Sequence, residues 1–393
     1  MPVTRVEVKT VLRRHKLPDS YFVSRFAAAP YRACAHACKY CDGRAEKYWV
    51  EGDFERDIVV RANFAEVFER EVRKLRERGI VMFGSGVTDS YQPVEADEGL
   101  MRRAAQILLE AELPAMVMTK SALALRDLDL WSELNSRAGF TLLMTIVTLD
   151  EDVRRAFEPN ASPIQARLDT LRAFKQAGCG VGVMAMPLLP WLGYDPDHLE
   201  PLFGAFADIG VDVVLPGGLT LRPGRQKDTF LATLNQFAPE LLPRYKELYR
   251  ENRPSGTPLA SVSAERRKEC QAILDRLGLN TRLPHRLYRD RLSLADELYV
   301  LTGHMHQLFG HHDTKTLTAA RNRYRDWLLE HRGYIARRRN LHYSLLDTQL
   351  RDEFASGRFR AVLRNDRLFD FLSQRVLHDK TYDYLNRQWG NNV

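Results

Sequence analysis

The chain has 393 residues, 45% of them hydrophobic and 28% charged, with a formal charge of +7. That length and apolar share suit one large α/β domain with a smaller one beside it, and no run approaches the ~18 apolar residues of a membrane span. Five cysteines are too few for a secreted disulfide framework; with residues 1–16 mixed and basic rather than apolar, the chain is expected to be soluble and cytoplasmic.

Between Asn63 and Leu221 the pattern alternates helix with strand. Asn63 caps a predicted helix whose apolar positions are Phe64, Val67, Phe68, Val72 and Leu75, and a strand follows at Ile80 to Gly84. A helix carrying Leu100, Ala104, Ile107 and Leu108 leads to a strand from Ala115 to Thr119. A helix over Leu125 to Ser136 then leads to a strand from Phe140 to Val147. Ser162 as N-cap, Pro163 at N1 and Gln165 completing a capping box predict the next helix, closed by Gly178. A strand over Val181 to Met186, a helix over His198 to Asp208 and a strand over Val211 to Leu215 end the series.

The strands are continuous apolar runs, as in a parallel sheet covered on both faces. With one more strand near Val23 to Ala28 the count is six β/α units. That predicts an α/β fold, a partial (β/α)6 TIM-type barrel over residues 1–225 with an N-terminal extension. After Arg225 the strand signal vanishes. Helices are expected over Phe230 to Asn252 (interrupted at Pro239 and Pro243), Ser263 to Leu277, Ala319 to Ala336, Ser344 to Ala355 and Arg364 to Leu385, making 226–393 an α-helical C-terminal domain.

Three of the five cysteines fall within Cys34-Ala-His-Ala-Cys38-Lys-Tyr-Cys41, spaced C-x3-C-x2-C. Three thiolates on one short loop can hold three irons of a cubane and leave the fourth iron open. Zinc with His36 as fourth ligand is the alternative, although four ligands in so short a segment depart from zinc's usual separated pairs.

This loop resembles the signature of the radical SAM superfamily, in which S-adenosylmethionine (SAM) coordinates the open iron of a [4Fe–4S] cluster. Pro30-Tyr31-Arg32, Val87-Thr88-Asp89-Ser90-Tyr91-Gln92-Pro93, Met118-Thr119-Lys120 and Phe157-Glu158-Pro159 look like the branch that contains spore photoproduct lyase. The resemblance implies reductive cleavage of SAM to a 5′-deoxyadenosyl radical that takes hydrogen from a substrate, most readily a nucleic acid. It also implies an electron donor such as flavodoxin or ferredoxin. Cys34, Cys38 and Cys41 would carry the cluster, with Tyr40 near the adenine. Ser85, Thr88 and Asp89 would meet SAM's amino or ribose groups, Lys120 its carboxylate, Thr145 and Thr148 the ribose, and Gly217 with Gly218 the adenine.

Two departures separate the chain from spore photoproduct lyase itself. Gly86 stands where that family has its hydrogen-returning cysteine, and Asp42 where it has a tyrosine after the last cluster cysteine. Cys179 and Cys270 read as packing residues.

Residues 280–393 hold 20 Lys and Arg against 13 Asp and Glu, the whole positive excess, and eight of the eleven histidines. His304, His306, His311, His312 and Asp313 have the residue types of a metal site, and equally of phosphate contacts or a plain surface. Arg321, Arg323 and Arg325 interleave with Tyr324 and Trp327, and Arg337, Arg338 and Arg339 follow. That pattern fits phosphates and stacked bases, or an amphipathic helix. Three readings follow: a radical SAM enzyme on a nucleic acid, one on a small molecule or peptide, or a non-catalytic iron–sulfur or zinc protein that binds nucleic acid.

Overall fold

The computed structural model describes residues 3–19, 21–84, 87–304, 314–338 and 340–391. Ser85, Gly86, His306, His311, His312, Asp313 and Arg339 lie outside them.

Twelve strands are described. In chain order they begin with β1 (Val3–Val6), β2 (Leu12–Arg14), β3 (Phe26–Ala28), β4 (Tyr31–Arg32), β5 (Ile58–Arg61) and β6 (Val81–Phe83). Then come β7 (Ala115–Thr119), β8 (Phe140–Thr145), β9 (Gly180–Leu188), β10 (Val213–Gly218), β11 (Thr381–Asp383) and β12 (Gln388–Gly390). The main sheet has seven strands in the order β10-β9-β8-β7-β6-β3-β2. Its six strands from β3 to β10 stand in sequence order, the partial barrel of six β/α units that the apolar runs predict. Strands β7, β8, β9 and β10 pair in parallel. All six residues of β8 are buried, because helices leave neither face to solvent.

Contacts divide the chain into two compact units: residues 1–12, 28–72 and 83–281, and residues 13–27, 73–82 and 282–393. In the first unit an aromatic chain packs helices onto strands. Phe64 stacks on Phe68, Phe68 meets Phe83 edge-on, and Trp131 stacks on Phe140 at 4.7 Å. A small sheet in the order β1-β5-β4 was not foreseen, because strands of two to four residues show too little periodicity.

The helix expected from Ser162 runs Ile164–Gln176, but its capping box does not form. The Ser162 hydroxyl accepts from Ala122 N at 2.9 Å, and Glu151 Oε1 takes the Ile164 N–H. A carboxylate from another helix does the work the local motif predicted, and no local pattern can show that.

The second unit carries helices Leu294–Gly303, Thr314–Ala336, Ser344–Ala355, Phe359–Leu363 and Asp366–Val376 around one apolar core. The last helix expected, through Leu385, stops at Val376. The antiparallel pair β11-β12 follows, which corrects the purely helical expectation there. Tyr324 is fully buried with its hydroxyl on Ala295 O at 2.8 Å, so it serves the core and cannot stack a base. The Arg/aromatic stripe of this helix is thus an amphipathic pattern at Tyr324 and Leu328, with Trp327 packed on His331 at 4.2 Å.

Buried ion pairs tie this unit together. Arg25 reaches Glu77 at 2.8 Å and Asp296 at 3.2 Å, and Arg332 also pairs with Asp296. His285 Nε2 donates to Glu297 Oε1 at 2.8 Å, and Arg375 meets the same carboxylate at 2.5 Å. Burial alone would raise the Glu297 pKa; the hydrogen bonds and charges of His285 and Arg375 outweigh it and hold it near 2, against an ordinary 4.5. A depressed carboxylate stabilises the fold above its unfolded pKa, and the gain is lost as pH falls through the folded value. Unfolding followed by circular dichroism should therefore steepen between about pH 4.5 and 2, and Glu297→Gln should flatten that limb. An unchanged limb in the variant would rule out this group as the cause.

Candidate active site

The segment between β4 and β5 carries the three cysteines, none of them in a disulfide, with Cys34 and Cys38 buried and Cys41 half-buried. Its path is unusual for non-glycine residues. Ala33 and Ala37 both sit in the left-handed region, at φ 63° and 60°. Such conformations persist only where the surroundings over-determine them.

Here the surroundings do. Cys34 N donates to Phe54 O at 3.1 Å, and Lys39 N to Phe157 O at 2.8 Å. Arg44 folds back over the loop, with Nε on Cys38 O at 2.8 Å and a terminal nitrogen on Ala37 O at 3.0 Å, while also pairing with Glu55. Gln92 accepts from Ala35 N at 2.8 Å and donates to Ala33 O at 3.1 Å; Asn160 donates to Ala35 O at 2.9 Å. From beyond the sixth barrel strand, Gln226 donates to Tyr40 O at 3.0 Å, and Arg222 holds Asp42 at 2.6 Å. Asp42 thus clamps the loop's C-terminal end.

The expected contact residues divide into two sets. Thr88 donates to Ala33 O at 2.8 Å and accepts from Gln92 at 3.1 Å. Asp89 accepts from Tyr91 N, Thr119 Oγ1 and Lys120 N at 2.7–2.8 Å, and its Oδ2 lies 3.3 Å from His36 Nε2. Burial opposes its charge, but these partners hold its pKa near 2. Both oxygens are engaged by the protein, so Thr88 and Asp89 position the cysteine loop against the end of β7. Thr148 accepts from Asp150 N at 3.0 Å in a local turn. The backbone carbonyl of Thr145 takes an N–H of Arg167 at 3.0 Å. Gly217 lies at a bulge of β10, where a Cβ would stand 2.9 Å from Met186 Cβ. Packing alone therefore demands glycine there.

Lys120 and Tyr40 form the second set. The Lys120 ammonium lies 5.7 Å from the centroid of the Tyr40 ring, and no acceptor for it stands within hydrogen-bond range among the described residues. Burial alone would lower its pKa; Cys38, Glu158 and Cys41 raise it, so it remains a cation. Tyr40 donates to Glu158, which pairs with Arg167 at 2.6 Å, and both members of that pair are 1% exposed.

The thiols test the fit of a metal group. Burial is the first cause that raises each of the three: Cys34 well above the ordinary value, Cys38 to about 12, and Cys41 less. Thiolates in such a place need positive charge close by, and iron with Lys120 would supply it. No set of three or more His, Cys, Asp or Glu converges on a single ion among the described residues. A cubane takes its thiolates at separate corners, so the donor set fits a cluster better than one ion. His36 Nδ1 faces Asn160 O at 3.2 Å and its Nε2 lies 3.3 Å from Asp89 Oδ2 without a hydrogen bond, and His36 joins no group of three donors among the described residues.

Arg44, Glu55, Asn160, Arg167, Arg222 and Gln226 all hold this site without any signal in their own neighbourhood. Gln92→Leu tests the scaffold. It leaves the buried Ala35 N–H without a partner, at about 1–3 kcal/mol, and should lower retained iron with unchanged circular dichroism. Iron content equal to wild type would show that Gln92 does not hold the loop.

The family model described as the radical SAM superfamily matches residues 29–202. An uncharacterized protein of Mycobacterium tuberculosis is 33% identical over 254 residues, covering 63% of this chain and 74% of that one. One from Methanocaldococcus jannaschii is 27% identical over 190 residues, 48% of this chain and 68% of its own. Among solved structures, spore photoproduct lyase complexed with dinucleoside spore photoproduct superposes with a TM-score of 0.52 at 15% identity, over 70% of this chain and 79% of its own. At that identity the likeness is one of fold.

Proposed function

The chain belongs to the radical SAM superfamily and is a radical SAM enzyme, and from that premise we propose that it acts on a nucleic acid, with Cys34, Cys38 and Cys41 holding a [4Fe–4S] cluster. When bound, such a cluster supplies one electron to the sulfonium of SAM, giving methionine and a 5′-deoxyadenosyl radical that takes a hydrogen atom from substrate. The chain's own residues bind and orient. Lys120, a half-buried cation with no acceptor among the described residues, is the observation that carries the reading. In this reading it would hold the SAM carboxylate by a charge-assisted hydrogen bond, and its distance of 5.7 Å from the Tyr40 ring supports that role. Tyr40, its hydroxyl fixed by Glu158, would pack near the adenine in this reading. The scaffold of Gln92, Arg44 and Asn160 keeps the loop from relaxing when a ligand comes or goes. A reductant protein such as flavodoxin or ferredoxin would supply the electron.

The excess of Lys and Arg after residue 280 supports a polyanionic substrate. A small-molecule substrate is the second reading. A cavity of ≈ 360 Å³ opens beside Gly218, Leu219 and Thr220 at the end of β10, lined by Tyr194, Tyr249 and Arg266. The decisive experiment is anaerobic reconstitution with dithionite and SAM, with 5′-deoxyadenosine and deuterium transfer measured with and without DNA, RNA and metabolites. Nucleic acid should stimulate and transfer deuterium; stimulation by a metabolite alone would favour the second reading. Lys120→Met should raise the KM for SAM at least about tenfold.

A further inference from the structure

The second unit contains a group of cations without anions among the described residues. Arg282 donates to His304 Nδ1, which makes that nitrogen the acceptor and leaves the proton of the neutral ring on Nε2. Nε2 is buried and has no partner among the described residues, in a side chain only 3% exposed. The Nε of Arg282 and the Nε of Arg321 are likewise buried without partners there. Both guanidiniums act electrostatically on His304, whose pKa falls to about 3 through burial first and then these two charges.

No described carboxylate balances them. Among the described residues neither Arg282 nor Arg321 forms an ion pair, whereas Arg25, Arg332 and Arg375 of the same unit each hold one or more carboxylates. Arg321 lies over the Tyr299 ring at 4.7 Å, and the Tyr384 ring meets His304 edge-on at 5.2 Å. The acid that also acts on Tyr384 is Glu297, which is held by His285 and Arg375. Two uncompensated charges and three orphaned N–H donors cost free energy in the empty site. A metal ion is a poor occupant, since two guanidiniums repel it and one nitrogen of His304 is already engaged.

We propose that Arg282, His304 and Arg321 form a binding site for a phosphoryl oxyanion. Donors from three side chains suit a tetrahedral group better than a planar carboxylate, and guanidinium with imidazole N–H is well matched to phosphate oxygens. The ligand is a phosphate ester or the diester of a nucleic-acid strand, which share this chemistry. The inference is independent of the radical chemistry, because all three residues belong to the second unit.

Calorimetric titration of the full chain with inorganic phosphate and with a short single-stranded oligonucleotide, at matched ionic strength, tests it. Arg282→Gln and Arg321→Gln should each weaken binding at least about tenfold, while Arg325→Gln, whose native arginine pairs with Asp326, should not. SAM cleavage should be unchanged throughout. Binding of phosphate assigns the site to a free phosphoryl group, and binding of the oligonucleotide alone to a strand. Equal binding by wild type and both Gln variants overturns the proposal, as does binding of Zn²⁺ or acetate in place of either phosphate source. Should the Gln variants unfold, Arg321→Lys keeps the charge. Its retention of binding supports the site, and absence of binding in both it and wild type overturns it.

Discussion

Alanine at any one of Cys34, Cys38 or Cys41 is expected to reduce 5′-deoxyadenosine formation to background and to lower iron per reconstituted chain. Each thiol would hold one corner of the proposed cluster, and His36 joins no group of three metal donors among the described residues. Cys179→Ala and Cys270→Ala should retain both iron and activity. Those thiols are buried packing groups, 3% and 2% exposed, and burial pushes Cys270 up to about 12. Iron analysis with quantified 5′-deoxyadenosine checks all five variants. Retained SAM cleavage in a loop variant, or its loss in the Cys179 variant, would sink the assignment.

The second large effect is expected at Arg167, which is 1% exposed and bonds Glu158, Ser162 O and Thr145 O. Arg167→Met leaves the Glu158 carboxylate buried with its main counter-charge gone, which typically costs about 3–5 kcal/mol. The urea midpoint should fall accordingly, and the KM for SAM should rise, because Glu158 is the hydrogen-bond partner of Tyr40. Combining Arg167→Met with Glu158→Leu should recover part of the stability, since no buried charge is then left alone. A single variant within about 1 kcal/mol of wild type would mean that water reaches the pair.

The site was legible where chemistry is local. The C-x3-C-x2-C spacing marks a metal-binding loop, and Lys120 stands out because a strand-end cation in an apolar region lacks a neighbour to pair with. Thr88 and Asp89 were expected to meet SAM's amino or ribose groups, but their neighbours decide what they do. The oxygens expected to face SAM are turned to Ala33 O, Gln92, Thr119 and Lys120 N. The arginine–aromatic stripe around Tyr324 misled in the same way, because one spacing serves a base-stacking platform and a helix core face alike.

By itself, the order of residues determines the six β/α units and the thiol loop. A fully buried strand must be a continuous apolar run, and cluster ligands on one loop must be neighbours in the chain. Tertiary structure alone decides how the loop is held. Asn160, Arg222 and Gln226 reach it from 125, 180 and 186 residues away, and a hydrogen-bond partner that distant leaves no local pattern. It also decides that Arg282 donates to His304 and that Arg321 lies over the Tyr299 ring, with no described acid to balance either. A count of charges shows an excess, but only packing shows which cations are left unpaired.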